Sequence, residues 1–329
     1  MNKECLLSVC ISVHNTAKYL PRCLNSLIKQ ANEDFEIVLV NNGSSDGSYE
    51  IMKEFKARYN YRVTIINQDD LGLAQGRQSG VNNASGKYLT FLDADDYYYD
   101  NWSDVLFPII KSENYDIIEF ASCRDNNKLS SGMVGETTGK ELLLKYFSFS
   151  GVPSMIWMRV YKKSLFDGII FPKIYTNNED NYAFPSLLLR ANKVFCISSV
   201  LHCYSTDNTE ATMVSLAMDK RRSYETRKRA LYSLCFIEER IKDLADDEIC
   251  SAFQRYKSSY LLDFLVSFTH FVSFHQLLAD SSSVCLFNKS HDLLHFIRKV
   301  GVCSERTSLL LKILGVKLYC YCRFLLGRN

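Results

Sequence analysis

The 329-residue chain has no stretch of about 18 uninterrupted apolar residues, so no membrane-spanning helix is expected. Its opening segment, MNKECLLSVCISVHN, carries only a short apolar run and no small-residue cleavage site, which argues against a secretory signal. Twelve cysteines are present without a paired C-x-x-C spacing, and Cys320-Tyr321-Cys322 alone is too little to hold zinc. They scatter at apolar positions such as Cys10, Cys196 and Cys235, as buried thiols do in a reducing cytosol. Internal repeats and low-complexity segments are missing, and proline is limited to five residues. The formal net charge is only +2, so no nucleic-acid partner is expected. With 47% hydrophobic and 23% charged residues the composition is that of an ordinary globular protein, which excludes disorder as the default state. The expected location is the cytoplasm, or the inner face of the plasma membrane as a peripheral protein.

The chain begins with an alternation of apolar β-branched runs and helical spacing. LLSVCISVHN (6–15) reads as a buried strand that turns polar at Ser12, His14 and Asn15. Residues 17–30 space their apolar side chains along one helix face, and FEIVLVNN leads through a Gly/Ser turn into a helix from about Ser48. Residues 62–68 and 87–93 read as further strands on either side of a helix over 73–85, and 115–122 as another strand. Alternation at this spacing predicts an α/β fold with a mainly parallel sheet flanked by helices. From about residue 219 the pattern becomes long, helical and free of proline. We therefore expect a catalytic domain over 1–218 and a helical region over 219–329. The latter holds 18 Lys and Arg against 12 Asp and Glu, a net of +6, leaving −4 on the first 218 residues.

Ligands of open α/β sheets bind beyond the carboxyl ends of the strands, where strand order reverses. Three polar clusters fall at such ends: Ser12/His14/Asn15, Asn41/Asn42 with Ser44 and Asp46, and Asp93/Asp95/Asp96. Crowded carboxylates beside a buried strand raise one another's pKa unless a cation binds among them. A hard divalent ion such as Mn2+ or Mg2+ takes one or two carboxylates and completes its shell from water and phosphate, which suits Asp93 and Asp95. A polar turn with a helix cap is the plain alternative, but a cap needs one aspartate rather than three.

A D-x-D after an apolar strand also occurs in haloacid-dehalogenase-like phosphatases, where it usually follows the first strand. Here it follows the fourth. As an ordered set, SVCISVHN, VNNGSSDGS (40–48), DLGLAQGRQSGVNNASGKYLTFLDADD (70–96) and NNEDNYAFPSLLL (177–189) resemble the family 2 glycosyltransferases of GT-A fold, over roughly residues 6–205. The resemblance implies a metal-dependent, inverting transfer of sugar from a nucleoside diphosphate, UDP-sugar first, to a glycan or lipid-linked oligosaccharide in bacterial surface-polysaccharide synthesis. It assigns donor binding to Ser12, His14, Asn15, Asn41, Asn42, Arg77, Asp93 and Asp95, the metal to Asp95 with Asp93, and the catalytic base to Asp180, with Glu179 as second choice. The chain departs from the family pattern at His14, where most members have tyrosine, and at Asn41-Asn42, where they have Asp-Asp. A degenerate, non-catalytic nucleotide-sugar binder is therefore the alternative reading.

Other features carry less. Gly72, Gly76 and Gly80 recur every four residues and point to close helix packing, His202 to a structural or solvent-exposed histidine rather than a diphosphate or metal contact, and Trp157, Tyr161 and Tyr204 to core or an acceptor wall. Arg306, Lys312, Lys317, Arg323 and Arg328 stand without an acid among Leu, Ile, Tyr and Phe. Such a basic amphipathic tail suits an anionic membrane surface; docking on its own domain or on a second copy of the chain suits it equally.

Overall fold

The computed structural model describes residues 5–30, 34–59, 62–169, 171, 179–208, 219–242, 244 and 246–268, and the chain divides at Met218/Asp219 into two compact units. In the first, β1 (Leu7–Val13), α1 (Leu20–Ile28), β2 (Phe35–Asn42), α2 (Ser48–Tyr59), β3 (Val63–Gln68), α3 (Leu73–Asn83) and β4 (Tyr88–Phe91) alternate as the hydrophobic pattern predicts. They are followed by β5 (Tyr97–Tyr98), α4 (Trp102–Lys111), β6 (Ile117–Arg124), β7 (Asn127–Leu129), β8 (Gly135–Thr137), α5 (Gly139–Phe147), β9 (Arg159–Lys162), α6 (Asp180–Leu188) and β10 (Val194–Cys203).

The strands join in one sheet of order β3-β2-β1-β4-β9-β6-β10-β5, with β7 on β6 and β8 on β10. β3, β2, β1 and β4 are mutually parallel, and β6 pairs β10 in parallel. The sheet is not parallel throughout, because β9 slots antiparallel between β4 and β6. Strand order runs outward from β1 to β3 and then returns to place β4 on β1's other side. The crevice between the carboxyl ends of β1 and β4 is therefore the switch point at which such sheets bind ligands.

Alternate residues of a strand face opposite sides of a sheet. Since all eight residues of β2 are buried, both faces are covered there. Leu7, Val9, Ile11, Ile37 and Leu39 have no exposed surface, and each such side chain contributes about 1.5–3 kcal/mol relative to exposure. α3 approaches β1 closely: a Cβ on Gly76 would lie 2.1 Å from Ser12 Oγ, and one on Gly80 3.0 Å from Cys10 Cβ. Gly72 serves differently, entering α3 with φ near 80°, a left-handed conformation that glycine adopts without strain. At the sheet's other end Trp102 stacks on Tyr98, with ring centroids 4.4 Å apart.

The second unit contains α7 (Lys220–Lys242) and α8 (Asp247–Phe268), cross-linked by Lys257 to Glu238 at 2.8 Å and by stacking of Tyr224 on Phe264. Among the described residues no helix is long and apolar enough to cross a membrane. The basic tail at 306–329 lies outside the described residues.

Candidate active site

The ends of β1 and β2 are tied into one rim. His14 Nδ1 is 2.8 Å from the Asn42 carbonyl, and Asn15, at φ near 50°, accepts the Ser45 amide at 2.8 Å. Ser12 lies just below, pressed against Gly76. His14 and Asn15 are exposed, as ligand-facing groups must be.

Asn41 and Asn42 behave otherwise. They are only 4% and 2% exposed, and their amides serve the strand ends. Asn41 donates to Asn67 at 2.6 Å and accepts the Ser44 amide at 3.2 Å. Asn42 accepts from Gln68 at 2.8 Å and from the Leu71 amide, and donates to Asp70 at 3.2 Å. Neither amide is offered outward in this arrangement. The group they leave at the rim is Asp70, whose second oxygen lies 4.0 Å from His14 Nε2 and whose side chain is 56% exposed. Sequence reasoning passed over Asp70, although the polar pair Asp69-Asp70 before Gly72 marks a turn.

Arg77, expected among donor-binding residues, is the centre of the site rather than its lining. Its side chain is 3% exposed and its guanidinium donates to Asp93 Oδ1 at 2.9 Å, to Asp180 Oδ1 at 2.7 Å and to Glu179 Oε1. α3 thus links the turn after β4 to the start of α6, segments 102 residues apart from arginine to glutamate. Burial works against the guanidinium's charge, but Glu179, Asp180 and Asp93 outweigh it and hold its pKa above the usual value. Glu179 is 2% exposed and Asp180 19%. Burial pushes both carboxyls up, Glu179 to about 7, while Arg77 opposes the rise. The Glu179 oxygen that Arg77 leaves has no donor among the described residues. Of the two, Asp180 is the one a second molecule can reach.

Asp95 is held by different partners. Asn208 donates to its Oδ2 at 2.7 Å and Arg22 to its carbonyl oxygen at 2.7 Å. Burial, then Asp96 and Asp93, push its pKa up to about 6. Asp96 faces inward, accepting the Ser205 amide at 2.7 Å, with Oδ2 3.4 Å from His202 Nε2. His202 has no exposed surface; it bonds Ser122 Oγ through Nδ1 at 2.8 Å and stacks on Trp157 at 4.4 Å. Burial pulls its pKa down to about 3, so the ring is neutral. Trp157 and Tyr161 are core residues; Tyr204, stacked on Trp157 and under Arg124, keeps partial exposure.

Asp95 with neighbouring Asp93 fits a divalent cation by the chemistry of the donor set: hard oxygen ligands, a surplus of negative charge, and an amide rather than a cation on Asp95 Oδ2. Among the described residues no three His, Cys, Asp or Glu side chains converge as a ready cage. An ion here would complete its shell from water and a bound phosphate.

The sequence model of glycosyl transferase family 2 matches residues 8–165, the part that carries β1 to β4, the aspartate turn and α3. Over those residues the chain is similar to that family. The glycosyltransferase GlyA of Streptococcus pneumoniae serotype 4 is 31% identical over 213 residues, 60% of this chain and 30% of that protein. The chain therefore spans under a third of that relative's length. Residues 1–349 of TarS from Staphylococcus aureus, crystallised with UDP, superpose with a TM-score of 0.63 at 18% identity, over 85% of this chain and 80% of that one. The mannosyltransferase PcManGT of Pyrobaculum calidifontis, in complex with GDP-Man and Mn2+, gives a TM-score of 0.54 at 12% identity, over 98% of this chain and 88% of that one. Both likenesses show the fold: the chain has the α/β architecture of these structures, with β1 and β4 at its switch point. The phosphatase reading finds no support.

Proposed function

We propose that this chain is a metal-dependent, inverting glycosyltransferase that moves a sugar from a nucleoside diphosphate, UDP-sugar first, to a glycan or lipid-linked acceptor in polysaccharide synthesis. The observation that carries the reading is Arg77: one guanidinium bonds both Asp93, in the turn of the cation ligands, and Asp180, the accessible carboxylate of α6. That arrangement supports a reading in which a donor diphosphate and a proton acceptor share one crevice.

The exposed rim of His14, Asn15 and Asp70 would take the nucleoside, the imidazole face stacking on the base. A divalent ion at Asp95, with Asp93 beside it, would neutralise charge on the departing diphosphate. An acceptor hydroxyl entering on the opposite face of the anomeric carbon gives its proton to Asp180. Burial helps by raising the affinity of that carboxylate for a proton, and Arg77, which opposes the rise, keeps it oriented. A single displacement opposite the leaving group inverts the anomeric carbon. The solved relatives crystallised with UDP and UDP-GlcNAc support the UDP preference, and TarS of S. aureus is named as a poly(ribitol-phosphate) beta-N-acetylglucosaminyltransferase.

The test is transfer from a panel of nucleotide sugars with and without Mn2+, in wild type and Asp180→Asn. The expected result is unchanged donor binding and loss of transfer by a factor of at least about 10²–10⁴ in the variant. Transfer at near wild-type rate removes Asp180 from the role; donor binding without transfer in the wild type favours the non-catalytic binder.

A further inference from the structure

The segment after β10 is fastened over the aspartate turn at successive residues. The Ser205 amide donates to Asp96 Oδ1 at 2.7 Å. Arg22, reaching from α1, donates to Ser205 Oγ at 2.8 Å, to the Asp95 carbonyl at 2.7 Å, and to the two Asp207 carboxylate oxygens at 2.7 and 3.0 Å. The Tyr19 hydroxyl adds a bond to the Asp207 carbonyl at 3.2 Å, and the Arg22 guanidinium lies 5.2 Å from the Tyr97 ring centre. The same segment carries Asn208, 8% exposed, whose side-chain amide donates to Asp95 Oδ2 at 2.7 Å.

A carboxylate offers about four lone-pair sites, and a single amide N–H occupies one of them. The bond therefore fixes the rotation of the Asp95 side chain while leaving the other oxygen and further lone pairs for an ion. Partners of this kind set the direction of a metal ligand, and their loss typically lowers affinity 10–100-fold. We propose that Asn208, anchored through the Arg22–Asp207 pair, is a positioning residue that sets the divalent-cation affinity of Asp95. The proposal rests on the reading of Asp95 as the cation ligand. It predicts a sign: if the amide merely competed with the ion for Asp95, its removal would tighten binding.

The experiment titrates Mn2+ alone, without nucleotide, into the full chain and reads free Mn2+ by its paramagnetic resonance signal, beside a melting curve for each protein. Asn208→Ala is expected to bind Mn2+ about tenfold or more weakly at an unchanged melting temperature. Arg22→Gln, which keeps Asn208 but loosens its anchor, should weaken binding in the same direction and by less. Asp95→Asn should abolish it. If Asn208→Ala binds as tightly as wild type or tighter while Asp95→Asn still loses the ion, the positioning role is overturned and the ligand assignment stands. Should Asp95→Asn bind as wild type, or wild type take up no Mn2+ at millimolar concentration, the ligand assignment itself falls and this inference with it. If Asn208→Ala does not fold, Arg22→Gln decides: unchanged Mn2+ affinity in that variant overturns the proposal.

Discussion

Arg77→Met keeps most of the side chain's volume and removes its charge and its fork of donors. In the native site the guanidinium is 3% exposed and bonds Asp93 at 2.9 Å, Asp180 at 2.7 Å and Glu179. Without it three carboxyl groups share a buried space with no cation among them. Removing one partner of a buried ion pair costs about 3–5 kcal/mol. For a unit of this size each kcal/mol moves the melting temperature by roughly 2–4 °C, so a fall of roughly 6–20 °C at neutral pH is expected. The pH profile then identifies the cause. Glu179 already stands at about 7 against an ordinary 4.5, with burial raising it and Arg77 restraining it. Losing the restraint moves it, and Asp180 with it, further up. A carboxyl whose pKa is raised in the folded state destabilises the fold fully above that pKa, and relief comes as the pH falls toward the unfolded value. Because wild-type Glu179 already stands at about 7, both folded proteins hold it protonated below that pH, so the deficit of Arg77→Met should be smallest and flat below pH 7 and grow as the pH rises above 7 toward the variant's higher pKa. Circular-dichroism melts of both proteins across that range make the measurement. A variant melting within about 2 °C of wild type at neutral pH, or a deficit constant with pH, refutes the reasoning. Arg77→Lys should fall between, because one ammonium does not span three carboxylates in a planar fork.

Gly76→Ala places a methyl 2.1 Å from Ser12 Oγ, so α3 must shift from β1 at a cost of about 1–3 kcal/mol; Ser12→Ala in the same chain should return most of it in a denaturant melt. Asp95→Asn should abolish the Mn2+-dependent part of UDP binding measured by calorimetry while leaving the melting temperature in place, and unchanged affinity removes Asp95 from the site. Deletion of 306–329 should release the chain from anionic vesicles at low salt, since each of five basic side chains near such a surface contributes on the order of 1 kcal/mol. Co-sedimentation that is absent or insensitive to salt in the full chain removes the membrane reading and favours docking of the tail on protein.

The repeating unit of strand and helix was readable from hydrophobic spacing through β4 because each element is local and buried on a regular face. Ser12, His14, Asp93 and Asp95 could be placed at strand ends for the same reason, and Gly76 and Gly80 announced a close helix contact. What spacing does not encode is the pairing of distant side chains. Asn41 and Asn42 sit in a cluster that looks ligand-facing, yet the turn at Asp70 folds back and uses their amides. Arg77 reads from the sequence as a donor-binding residue because its partners, Glu179 and Asp180, lie far along the chain. Asn208 and Arg22 gave no signal: each is an ordinary polar residue until the strap crosses the aspartate turn. β9 was also hidden, its four residues being too short to show a period and its place set by β4 and β6 on either side.

The bridge made by Arg77 has a temporal side. A ribosome adding about 5–20 residues per second completes β4 well before Glu179 and Asp180 exist, leaving an interval on the order of ten seconds. During it Asp93, on the neighbouring turn, can already neutralise the arginine, so the early sheet need not wait with an uncompensated charge. The two late carboxylates then meet a cation already fixed in place, which draws α6 to its seat. On the proposed reading, Asp95 acquires Asn208 only after Asp180 has been made, so the cation ligand is the last part of the chemistry to be set.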